Sequence, residues 1–69
     1  ERLVVSPCAG IFSPKEGLQA DQLVNVGDVV GWVAEEEVRS PFAGLLMDFM
    51  ALDSERVTAR QPIAWLRTR

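Results

Sequence analysis

The chain carries one pattern twice. Val4-Val5-Ser6-Pro7-Cys8-Ala9-Gly10-Ile11-Phe12 matches Val38-Arg39-Ser40-Pro41-Phe42-Ala43-Gly44-Leu45-Leu46 at an offset of 34. Further on, Val24-Asn25-Val26-Gly27-Asp28-Val29-Val30-Gly31-Trp32-Val33 matches Val57-Thr58-Ala59-Arg60-Gln61-Pro62-Ile63-Ala64-Trp65-Leu66 at an offset of 33. Both tryptophans fall in register, and the change of one in offset needs only one residue of loop. Two blocks recurring in the same order mean two copies of one unit of about 30 residues, and any fold must join two like units. With 69 residues in all, the chain is a single domain over 1–69, with half-repeats at about 2–34 and 37–67. A chain of this size buries only about 60% of the surface its unfolded form exposes, so the two units must share one core.

Each copy has the same local plan. A short apolar segment meets Ser-Pro, then a turn ending in glycine, then another apolar segment. Proline cannot donate to a sheet ladder and marks a strand end. Val29–Val33 and Pro62–Leu66 are rich in β-branched and aromatic residues and read as strands. The pattern predicts strands near 2–6, 10–13, 29–34, 37–40, 44–51 and 62–67, with short bridging strands around 23–25 and 56–58. One segment competes: Leu45, Phe49, Leu52 and Arg56 share a helical face, so 45–60 also fits an amphipathic helix on periodicity. The repeat favours strand, because Leu45-Leu46 are the counterparts of Ile11-Phe12, and Ser13-Pro14 breaks a helix in the first copy. The expected fold is all-β, a flattened barrel or sandwich of two quasi-symmetric halves, with each half lending strands to both sheets. Trp32 and Trp65 are expected at equivalent core-wall positions, as core or half-buried packing residues.

The residue inventory excludes much chemistry. There is no histidine and one cysteine, so neither a Ser-His-Asp nor a Cys-His nucleophile system can be assembled from this chain. A zinc site would have to be built mainly from carboxylates, which is rare. Cys8 has no internal disulfide partner; set opposite Phe42 of the second copy, it reads as a half-buried hydrophobe. Met47 and Met50 read as packing residues. No enzyme activity, metal site or cofactor is expected. Net charge is −3, divided as −5 over residues 1–37 and +2 over 38–69. An acidic chain disfavours nucleic acid, and the weak basic bias at Arg56, Arg60, Arg67 and Arg69 reads as solvated surface. No apolar run is long enough to span a membrane. The N-terminus has no signal-peptide pattern, and the expected compartment is the cytoplasm. The chain does not begin with Met and reads as an excised domain or part of a longer protein.

These motifs resemble those of the biotinyl/lipoyl-like family. Ser6-Pro7-Cys8-Ala9-Gly10 and Ser40-Pro41-Phe42-Ala43-Gly44 are similar to the family's two Pro-x-x-Gly turns. Val24-Asn25-Val26-Gly27-Asp28 and Val57-Thr58-Ala59-Arg60-Gln61 are similar to its two Val-x-x-Gly-Gln or Gly-Asp turns. The resemblance covers nearly the whole chain. It implies a barrel-sandwich hybrid of two four-stranded sheets. In carriers of the family, a lysine at the tip of the hairpin between the halves takes biotin or lipoate. The corresponding stretch here, Val33-Ala34-Glu35-Glu36-Glu37-Val38, contains no lysine. It also reads as about four residues too short to project the family's hairpin.

A swinging arm needs an ε-amine on an exposed turn that a ligase can reach. Ala34, Glu35, Glu36 and Glu37 supply no such nucleophile and reverse the local charge. The single lysine, Lys15, follows Ser13-Pro14 and reads as a solvated loop residue. The three adjacent glutamates point to alternate faces of a strand and do not converge on a cation, so they read as a solvated turn. The expected function is an unmodified, non-catalytic structural or protein-docking domain, with a protein partner or a parent multidomain protein. Two alternatives stay open. One is a carrier-type domain of a biotin-dependent carboxylase or 2-oxo acid dehydrogenase system. The other is the lipoyl-like domain of a membrane-fusion adaptor, from the likeness of Val38–Gly44 to the strand after the adaptors' inserted helical hairpin. Oligomeric state is not expressed in the sequence.

Overall fold

The computed structural model describes residues 1–68. It is all-β. The strands are β1 (Arg2–Val5), β2 (Gly10–Pro14), β3 (Leu23–Val24), β4 (Val29–Val33), β5 (Glu36–Arg39), β6 (Gly44–Phe49), β7 (Arg56–Val57) and β8 (Pro62–Arg67). They form two four-stranded sheets, ordered β1-β8-β6-β3 and β5-β4-β2-β7, with every pairing antiparallel. The result is a flattened sandwich. Replacing each strand by its partner four places along the chain converts the first order into the second. Each half of the chain therefore gives two strands to each sheet, and neither half closes a core alone.

The alternation of side chains builds the core. Val4, Phe12, Val24, Val30, Val33, Val38, Leu46, Val57, Ile63 and Leu66 are buried between the sheets. Phe12 and Phe49 meet there with ring centroids 5.9 Å apart. Close approach explains Gly31: a Cβ at that position would lie 2.6 Å from the Ser13 carbonyl oxygen.

The two Ser-Pro motifs do identical work. Ser6 N donates to Gln61 O and Arg60 N to Ser6 O, at 2.9 and 2.7 Å; Ser40 N donates to Asp28 O and Gly27 N to Ser40 O, both at 2.8 Å. Both serines are buried, and their hydroxyls donate two residues on, to Cys8 O at 2.5 Å and Phe42 O at 2.6 Å. Each motif thus stitches the end of one strand to the turn before another, where the following proline cannot take part in a ladder. Matching turns repeat the plan: Asn25 N is capped by Asp28 Oδ2 at 2.9 Å, and Thr58 N by Gln61 Oε1 at 3.0 Å.

The helical face read over Leu45, Phe49, Leu52 and Arg56 does not form: Leu45 lies on the outer face of β6, Phe49 packs against the core, and Leu52 and Arg56 are exposed. β6 pairs with β8 on one side and β3 on the other, and its register to β8 shifts between Leu46 and Asp48. That bulge adds a residue, so Leu46 and Phe49 both face inward three positions apart. The spacing imitates a helix turn while the chain remains a strand. Beyond it, the backbone turns through Ser54, at φ 65°, into β7.

The tryptophans occupy equivalent places, but on the outer faces. Trp32 stands opposite Glu37 and Ser13, and Trp65 opposite Leu3 and Asp48; both are half-buried. No helix among the described residues is long and apolar enough to cross a membrane.

Candidate functional site

The hairpin between β4 and β5 holds Ala34, Glu35, Glu36 and Glu37, the stretch singled out in the sequence. β4 and β5 pair down to Val33 opposite Glu36, leaving Ala34 and Glu35 as a two-residue turn. Both have positive φ, 49° and 69°. Two consecutive left-handed residues are the type I′ turn, whose backbone twist matches that of the flanking strands. Neither Ala nor Glu favours this conformation, which costs an L-residue roughly 1–2 kcal/mol. The strand pairing on either side holds the turn in that shape.

The turn rests on the body of the domain. Ala34 N donates to Ile11 O at 3.3 Å. Gly10 lies directly beneath, and a Cβ there would fall 2.7 Å from the Ala34 Cβ. Small residues at both 10 and 34 permit this approach. The Cys8 thiol reaches the same place, with Sγ 3.6 Å from Val33 O. Partial burial pushes the Cys8 pKa up, and the hydrogen-bonding, negatively charged Glu36 carboxylate pushes it further the same way. Cys8 is a neutral thiol packed against the core, with little nucleophilic thiolate at neutral pH.

The three glutamates have separate fates. Glu35 is at the tip and exposed. Glu36, at the start of β5, is exposed and contributes to the raised Cys8 pKa. Glu37 pairs with Arg39 at 2.7 Å, and Arg39 also donates to Gly27 O at 2.8 Å. Both members of that ion pair are about half exposed, so it contributes little to stability and serves to hold two side chains in place. Among the described residues no group of three or more His, Cys, Asp or Glu side chains gathers as a metal site.

Lys15 is not part of the hairpin. It follows the end of β2 remote from the turn, where its amide donates to Val30 O at 2.9 Å, and its side chain is exposed. Met47 is half-buried and Met50 exposed; they belong to β6 and the turn after it. The influence of Glu36 on Cys8 has no signal in the sequence, because the two residues are far apart along the chain. The fit of Gly10 against Ala34 has one: the repeated Ala-Gly that ends each Ser-Pro turn.

No family model matches the chain. Over 45 residues it is 33% identical to an uncharacterized protein, YqeB, of Escherichia coli (strain K12); the match covers 65% of this chain and 8% of that protein. The chain thus spans less than a tenth of the length of the curated relative it matches.

Proposed function

We propose that this chain is an unmodified biotinyl/lipoyl-like domain that acts as a non-catalytic structural or protein-docking module, in the cytoplasm and within a larger polypeptide. The observation that carries the reading is the hairpin turn. The fold offers a tight, exposed turn between its two halves, and Ala34 and Glu35 occupy it. Without an amine there, no ligase can form the amide that tethers biotin or lipoate. The neutral Cys8 thiol beneath the turn is no substitute as a nucleophile. Two further points support a module in a longer chain. The relative is far longer than the stretch it shares. The first and last strands, β1 and β8, are neighbours paired from Arg2 opposite Leu66, so flanking polypeptide would leave the hairpin clear.

Co-expression with a biotin ligase and, separately, a lipoate ligase, followed by intact mass measurement, tests this reading. An unchanged mass is expected in both. A mass gain that maps to Lys15 would make the chain a carrier with a relocated arm and overturn the proposal.

A further inference from the structure

The two sheets offer an internal comparison. Positions that only the fold constrains should match between the halves, and those that do not match report something else. Residues directly opposite across an antiparallel pair share a face. On the outer face of β5-β4-β2-β7 stand Glu37, Trp32, Ile11 and Arg56. Their counterparts on the outer face of β1-β8-β6-β3 are Leu3, Trp65, Leu45 and Leu23. The tryptophans match and Ile11 corresponds to Leu45, but two charged residues on one sheet are leucines on the other. Arg39 likewise corresponds to Val5. Leu3 is 48% exposed and Leu23 63%, so neither leucine serves the core. Scattered surface leucines need no explanation. A face that is charged in one half and apolar at the same places in the other does.

The geometry also indicates what covers it. Leu3 and Trp65 are opposite each other in one row, and Leu45 and Leu23 in the row two residues along. With strands about 4.8 Å apart and same-face residues about 7 Å apart, the four make a diagonal stripe. Asp48 lies on one side of it, opposite Trp65, and Arg67 on the other, opposite Leu45. Both are exposed. Turning a second copy about a two-fold axis laid along the stripe sets each apolar residue near its own equivalent. The same rotation sets Asp48 of each copy against Arg67 of the other. A surface that is its own charge complement fits an isologous pair. The strands of the apposed sheets then cross steeply, as in orthogonal sheet packing.

We propose that the outer face of the β1-β8-β6-β3 sheet is a self-association surface that takes a second copy of this chain, with the Leu3–Trp65–Leu45–Leu23 stripe on the two-fold axis and Asp48–Arg67 contacts on either side. The inference deepens the docking reading by naming a partner, and it fails independently of the hairpin test. Two rows of side chains on one four-stranded face cover less than the roughly 800 Å² per partner of a standard interface, so the pair is weak and depends on concentration.

Sedimentation velocity over a wide concentration range tests it, with circular dichroism to confirm that each variant folds. The mass should rise from 7.6 kDa toward twice that value. Leu3→Glu, which copies the counterpart residue Glu37, should abolish the rise. So should Asp48→Arg and Arg67→Asp singly. The double variant, which restores the original net charge and exchanges the two ends of the contact, should recover association. A wild-type mass that stays at the monomer value throughout overturns the proposal. So does a double variant that folds and remains monomeric.

Discussion

Cys8 shows how a residue's chemistry is decided by what the fold brings to it. Its neighbours in sequence, Pro7 and Ala9, leave a thiol at its ordinary value. Partial burial, and then Glu36 at the start of β5, together raise the pKa. Both causes disfavour the thiolate, so alkylation should be slow at neutral pH and its pH–rate profile displaced to high pH. Glu36→Gln removes a negative charge, lowers the thiol pKa, and should shift that profile to lower pH with faster alkylation at pH 8. A profile that does not move would show that Glu36 does not reach the thiol. The half-buried placement of Cys8 was legible from its opposition to Phe42 across the repeat. The carboxylate was not, because no short-range pattern ties residue 8 to residue 36.

The Ser-Pro elements are the clearest case of sequence reading converting into structure. Their recurrence located four strand ends, and the hydrogen bonds at Ser6 and Ser40 show why the pair of residues is kept together. Serine supplies a small buried hydroxyl that closes onto the carbonyl two residues ahead, and proline ends the ladder. Ser6→Ala and Ser40→Ala each leave the Cys8 or Phe42 carbonyl without its donor, and each should cost about 1–2 kcal/mol. For a domain this small that is a fall in Tm of roughly 4–16 °C. Thermal melts should show the two losses to be alike, and a large inequality would mean that the two turns do not play equivalent roles. β6 was harder to read. Its bulge places Leu46 and Phe49 on one face at helical spacing, and only pairing with β3 and β8 distinguishes it from a helix. The tryptophans were legible as equivalent but not as outward-facing, since half-buried outer positions and core walls favour the same residue type.

At the scale of the whole molecule, the interleaving of the halves governs behaviour. Because β1 pairs with β8, the ends of the chain occupy the place in one sheet that the β4–β5 hairpin occupies in the other. A circular permutant that links the two ends and opens the chain between Ala34 and Glu35 keeps all eight strands and their pairings. It should fold, with the far-ultraviolet circular dichroism of the parent, whereas residues 1–34 alone should not, having neither sheet complete. The all-β class was legible in the short β-branched segments set off by Ser-Pro and glycine turns. The proposed function rests on a smaller feature, the absence of an amine at the turn between β4 and β5. The direct test is the intact mass of the protein isolated from its own cells, with peptide mapping across Lys15 and the hairpin. The account predicts the mass of the unmodified polypeptide. A biotinyl or lipoyl group found on Lys15 would contradict it.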